Sequence, residues 1–153
     1  MWLKMNSKFN AEDFILLLLN LDNKKEIKGN LFLQKEMFLI VKEVFPNLDK
    51  ELNFKPYYYG PYSEKLTQLL KQLVNNSLIK IDDIEGSNCY TITDKGIDKL
   101  NKIEFPEDIK DKVFKLKKGS NVLGYKGLLR YVYFNYPKYT TKSKIKDEVL
   151  GEK

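Results

Sequence analysis

Between Pro61 and Leu78 the chain carries an apolar stripe, Leu66, Leu69, Leu70, Leu73 and Val74, at spacings of three and four residues. Only an α-helix gathers such positions onto one face. Its start is equally legible, because Pro61 cannot continue a preceding helix and Ser63 can cap the first turn's N–H groups. Two short β-rich runs follow at once, residues 78–82 and 88–92, joined by the polar turn 83–87. They read as a hairpin. A one-sided helix must be sheltered by other helices, so this helix-plus-hairpin unit dictates what the rest of the chain has to supply.

Two earlier segments supply it. Asn10 with an acid three positions on opens a helix over 11–21, in which Phe14, Leu17, Leu18 and Leu21 recur at helical spacing. Residues 22–30 read as a polar loop. The segment 31–45 is apolar on most sides, with Leu33, Met37, Ile40, Val41 and Val44 on one face, and is expected to run through the centre until Pro46 stops it. The stripe of the third helix is expected to pack on Leu33, Met37, Phe38 and Val41.

After the hairpin, Thr93 caps a helix carrying Ile97 and Leu100, and Pro106 opens another carrying Ile109, Val113 and Leu116. Gly119-Ser120-Asn121 is expected to break it. A further helix over 122–136 presents Tyr125, Leu128, Leu129, Val132, Tyr133 and Tyr136, and Thr141 is expected to cap a last short helix with Ile145, Val149 and Leu150 inward. The expectation is one domain over 1–153, α+β and mostly helical. Its winged-helix-like core (about 10–104) has a short hairpin wing, and its helical C-terminal extension covers about 106–150.

Composition narrows the chemistry. With no histidine, the Ser-His and Cys-His nucleophile pairs and the usual His/Cys zinc sites are excluded, and Cys89, the only cysteine, cannot form an intrachain disulfide. The longest apolar run, residues 14–19, has six residues, far short of the roughly 20 that span a bilayer. Residues 1–5 lack a signal peptide's apolar stretch and cleavage site. No membrane association and a cytoplasmic location are expected. The net charge of +6 hides a polarity: residues 110–146 hold eleven Lys or Arg and one acid, while the remainder is net acidic.

The segments LQKEMFLI (33–40), YYYGPYSEKLTQLLKQLVNNSLIKI (57–81) and YTITDKG (90–96) resemble the core of the YwgA-type uncharacterised proteins. More distantly they resemble the Panacea domain, which includes SocA-like antitoxins. LLRYVYFNYPKYTTKSKI (128–145) is similar to the end of YwgA-type sequences. The resemblance implies a winged-helix-like domain without known catalysis and, on the Panacea side, a protein that neutralises a partner toxin or serves as its adaptor.

Three candidate surfaces remain. If 54–59 is one extended run, Phe54, Pro56 and Tyr58 face one side and Lys55, Tyr57 and Tyr59 the other. The run then packs beneath the third helix, with Gly60-Pro61 turning the chain, or it leaves Tyr57, Tyr59 or Tyr62 exposed as interface tyrosines. The outward face of the third helix offers Gln68, Lys71 and Gln72, an inventory that suits base readout or plain solvation alike. Asp82, Asp83 and Glu85 make the wing acidic, which opposes simple docking on phosphates. Lys117, Lys118, Lys126, Arg130, Lys138, Lys142, Lys144 and Lys146 form the third candidate, a patch for nucleic acid or an acidic partner.

GSNVLGYKG (119–127) fails as a phosphate loop because Tyr125 stands where lysine is required, and the acid-x-lysine spacings at 22–24 and 26–28 fall in a loop. No catalytic residue, metal site or cofactor is expected. The reading is a non-enzymatic binding protein, antitoxin-like or adaptor, that recognises a protein partner. The alternative is a winged-helix DNA-binding transcriptional regulator, and a homodimer is left open.

Overall fold

The computed structural model describes residues 9–151, so the reading of residues 1–5 lies outside the described residues. Helix α1 (Ala11–Lys24) begins with a reciprocal cap. Asn10 Oδ1 accepts from the Asp13 N–H at 3.0 Å, and Asp13 Oδ2 accepts from the Asn10 N–H at 3.1 Å. Phe14, Ile15, Leu16, Leu17, Leu18 and Leu19 are all buried, so α1 is as central as the helix after it. Its regular part ends at Leu21, where the backbone turns extended and Asp22 and Asn23 become left-handed.

The loop expected over 22–30 contains a strand. β1 (Ile27–Lys28) pairs antiparallel with the strand Ser87–Ile92, Ile27 opposite Tyr90 and Lys28 opposite Cys89. Two residues are too few to display the alternation that reveals a strand. Helix α2 (Asn30–Glu43) follows, then a 3₁₀ turn (Pro46–Leu48) and the one-turn helix α3 (Asp49–Leu52). From Leu33 to Val41 every residue of α2 is buried, including Gln34, Lys35 and Glu36.

The tyrosine stretch is a hairpin of its own. β2 (Lys55–Tyr57) pairs with β3 (Gly60–Tyr62), Lys55 opposite Tyr62 and Tyr57 opposite Gly60, leaving Tyr58 and Tyr59 as the turn. Neither turn tyrosine has a positive φ; the left-handed residue needed to close the reversal is Gly60, at φ 90°. Helix α4 (Glu64–Asn75) is the stripe helix, capped by Ser63 Oγ, which accepts from the Leu66 N–H at 3.0 Å and donates to the Leu52 carbonyl at 2.5 Å. Leu66, Leu70 and Leu73 are buried, and Leu69 and Val74 half-buried. Leu66, Leu70 and Leu73 share one buried core with Leu33, Met37, Phe38 and Val41, as expected. The closest backbone approaches of α4, however, are to α1, α3 and the strand that follows it, and those of α2 are to the long helix Glu107–Asn135.

β4 (Ile79–Ile84) and β5 (Ser87–Ile92) form the wing hairpin, closed by the left-handed pair Glu85-Gly86, and β1 completes a sheet of order β1-β5-β4. Helix α5 (Asp94–Leu100) is capped by Thr93 Oγ1. The break expected at residues 119–121 does not occur. α6 (Glu107–Asn135) continues through them, Ser120 Oγ donating back to the Leu116 carbonyl at 2.8 Å, and kinks instead at Gly124 (φ 72°, ψ 177°). That backbone region is essentially reserved for glycine. A 3₁₀ turn (Pro137–Thr140) leads to α7 (Lys146–Leu150). Thr141 does not cap α7; Ser143 Oγ accepts from the Ile145 N–H near its start at 3.1 Å. Among the described residues no helix is long and apolar enough to cross a membrane. The chain is α+β and mostly helical, with helices before, between and after two small antiparallel sheets.

Candidate interaction surface

The hairpin β2–β3 is moored at several points. At its base, Gln34 on α2 grips the chain entering α4: its Oε1 accepts from the Ser63 N–H and its Nε2 donates to the Ser63 carbonyl, each at 2.9 Å. Lys35 Nζ donates to the Pro61 carbonyl at 3.1 Å. Gly60 lies so close to the buried Tyr133 ring that a Cβ there would stand 2.8 Å from Cε1. Tyr133 Oη and Ser143 Oγ share a 2.8 Å hydrogen bond, and the next residue, Lys144, donates its N–H to the Tyr58 carbonyl at 2.9 Å.

These attachments leave the aromatic rings outside. Tyr57, Tyr58 and Tyr59 are 39%, 57% and 45% exposed. The Lys144 ammonium sits 4.1 Å above the Tyr58 ring, a cation–π contact. Tyr57 stacks on Tyr62 at 5.2 Å, and its hydroxyl donates to Glu64 Oε2 at 2.9 Å, a bond that pushes the phenol's pKa up and keeps it a neutral donor. Tyr62 is half-buried and shares a 2.7 Å hydrogen bond with Thr67 Oγ1. An aromatic with few torsions, held on a fixed backbone, offers large contact area at small entropic loss. Of the two sequence readings, Phe54 follows the buried one and Tyr57 and Tyr59 the exposed one. Tyr58, grouped with Phe54 in a single extended run, is the most exposed of the three because the chain reverses at it.

Gln68, Lys71 and Gln72 lie exposed on α4, on the helix that β3 leads into. The wing acids Asp82, Asp83 and Glu85 are exposed as well, Asp83 Oδ1 accepting from the Gly86 N–H at 3.1 Å.

The basic candidates separate. Lys126, Arg130, Lys138, Lys142, Lys144 and Lys146 are exposed. Lys118 is exposed too, 3.9 Å from Asp22 and over the Phe114 ring. Lys117 does not belong to this surface. It is fully buried, and its ammonium donates to the carbonyls of Leu19 (3.3 Å), Leu21 (2.8 Å) and Lys25 (2.7 Å), the orphan acceptors where α1 unwinds. Lys144 belongs to the tyrosine surface as much as to the basic one.

Sequence reasoning missed Gln34, Lys35 and Glu36. Burial alone lowers the Lys35 pKa to about 7, its single hydrogen-bond acceptor being a carbonyl. Glu36 is pushed up to about 8 by burial, against the opposing pulls of Lys117 and of the nearby Ser120 hydroxyl. That hydroxyl is spent on the Leu116 carbonyl, and neither carboxyl oxygen makes a well-formed hydrogen bond among the described residues. Burial brings Lys117 down to about 8. The available signal was three consecutive polar residues inside a helix otherwise apolar on most sides.

No protein-family model matches the chain, and no curated protein matches it. Among the described residues no group of three or more His, Cys, Asp or Glu is placed to hold a metal ion.

Proposed function

We propose that the protein is a non-enzymatic, cytoplasmic binding module of antitoxin-like or adaptor type, in which a winged-helix-like core presents the β2–β3 hairpin and the adjoining face of α4 to a protein partner. The observation that carries this reading is the exposure of Tyr57, Tyr58 and Tyr59 on a hairpin fixed from below by Gln34, Lys35 and Tyr133. Tyrosine is enriched where interfaces bury aromatic area, and a pre-fixed backbone lowers the entropy lost on binding. The likeness of residues 33–40, 57–81 and 90–96 to YwgA-type and Panacea sequences points the same way.

Affinity capture from the native host tests it, comparing the parent with Tyr57→Ser/Tyr59→Ser and with Lys138→Gln/Lys142→Gln. A specific protein lost only with the tyrosine variant, whose denaturation midpoint stays at the parent's, supports the reading. Lys144 is left intact because its ammonium covers Tyr58.

A second reading, a winged-helix DNA-binding regulator, is favoured by the exposed Gln68, Lys71 and Gln72. Nanomolar binding of one DNA sequence that persists at physiological salt and depends on Gln68 and Gln72 would establish it in place of the first.

A further inference from the structure

The kink at Gly124 makes α6 a bent rod, and the inside of the bend is hollow. A cleft of about 410 Å³ opens there between the end of α2 and both arms of α6, with Leu39, Val44, Leu116 and Leu128 among its lining and Leu123 and Tyr131 at its edge. Those last two residues also border a second hollow of about 550 Å³, which runs on past Phe134 to Leu150. Just before the bend Val122 is 85% exposed and Leu123 51%, and farther along Phe134 is 78% exposed. A solvent-facing leucine and phenylalanine in the lining of two adjoining apolar hollows are what an unfilled binding groove leaves behind.

The border of the channel is positively charged. Lys112 and Lys115 line the first hollow and Arg130 the second. Lys115 is paired with Asp111 at 3.1 Å, whereas Lys112 and Arg130 make no ion pair among the described residues. Among the described residues the one acid in the lining, Glu43, is already engaged, its Oε2 accepting from the hydroxyls of Tyr131 (2.9 Å) and Tyr136 (2.6 Å).

We propose that this channel is a second docking site, sharing no residue with the tyrosine hairpin, for an acidic amphipathic helix of a partner protein. The partner's apolar anchors fill the two hollows while its Asp and Glu side chains face Lys112, Lys115 and Arg130, the helix-in-groove mode of recognition. Charge decides against a second copy of this chain: a symmetric dimer through this face would set Lys112, Lys115 and Arg130 against their own equivalents. The floor decides against nucleic acid: Leu39, Val44, Leu116 and Leu128 offer aliphatic surface, and of the aromatics beside it Tyr131 is tied through its hydroxyl to Glu43, leaving Phe134 as a single stacking plane where a strand of bases needs several.

The test uses the full chain and a phage-displayed library of random peptides on the order of 16 residues, about four helical turns. Selection on the parent is expected to enrich peptides of net negative charge with apolar residues at i, i+3 or i+4, and i+7. Their binding is expected to weaken about tenfold or more on Leu123→Ser/Phe134→Ser, both exposed positions whose replacement leaves the core intact. Repeating the selection on Lys112→Glu/Arg130→Glu is expected to remove the preference for acidic peptides. Enrichment that ignores both substitutions, or peptides without net negative charge, would overturn the proposal. So would parent self-association in sedimentation that Leu123→Ser/Phe134→Ser abolishes, or displacement of the selected peptides by single-stranded DNA.

Discussion

Replacing Glu36 by Gln should flatten the protein's stability between mildly acidic and mildly alkaline pH. The carboxyl is fully buried without a well-formed hydrogen bond among the described residues, and its pKa stands at about 8 instead of 4.5. In the unfolded chain Glu36 loses its proton near the ordinary value; in the folded chain it keeps it until about pH 8. Across that window the folded state binds more protons than the unfolded one, so stability falls as pH rises, by about 1.4 kcal/mol per pH unit from this group. The accumulated loss is roughly 4 kcal/mol by the upper end. Lys35 and Lys117, with pKa values lowered to about 7 and about 8, act with the opposite sign and only above those values, where the folded state binds fewer protons. The Lys35 gain therefore begins within the last pH unit of the Glu36 loss and the Lys117 gain at its end, and both are common to parent and variant. Gln keeps the shape of the protonated acid but cannot ionise, and any unmet amide hydrogen bond adds an offset that does not change with pH. Urea unfolding of both proteins at about pH 5 and about pH 8 should show the variant gaining a few kcal/mol on the parent between the two conditions. Parallel pH profiles would refute the reasoning, since they would mean that Glu36 is ionised and compensated in the native state.

Other substitutions separate structural from surface roles. Leu70→Ala, in the buried stripe of α4, should cost about 2 to 5 kcal/mol, read from the denaturant midpoint. Lys117→Ala should cost about 1 to 3 kcal/mol by stranding the carbonyls that end α1, whereas Lys118→Ala should stay within about 0.5 kcal/mol of the parent. Gly60→Ala, which strains a left-handed residue and drives a methyl into the Tyr133 ring, should lower the thermal midpoint and loosen amide exchange in β2–β3. Lys35→Met should stabilise the chain below about pH 7, where the parent must carry a buried ammonium, and lose that advantage as pH rises.

What the sequence made legible follows the length of the signal. Asn10, Ser63 and Thr93 cap the helices assigned to them, and the wing hairpin lies where its two β-rich runs put it, because caps and alternation are local and repeat over several residues. The glycines were harder. Gly119 and Gly124 are alike as breakers in one dimension, and only the structure tells that Gly119 stays helical while Gly124 takes the positive φ that bends the helix. The tyrosine hairpin reads in one dimension as a single extended run because its turn carries two tyrosines in place of the usual Asn-Gly, with the left-handed glycine displaced by one position. Lys117 reads as part of the surface patch because neighbouring lysines look alike in one dimension. Its burial depends on α1 unwinding some 95 residues earlier, a tertiary event with no local trace.

The most direct measurement is site-specific photo-crosslinking in the native host, with a benzophenone side chain at position 58 and, as controls, at the wing residue Glu85 and at Lys126. Position 58 is expected to capture one discrete protein that neither control captures, and Tyr57→Ser/Tyr59→Ser to remove it. Crosslinks from position 58 to nucleic acid, or the same set of proteins from all three positions, would contradict this expectation.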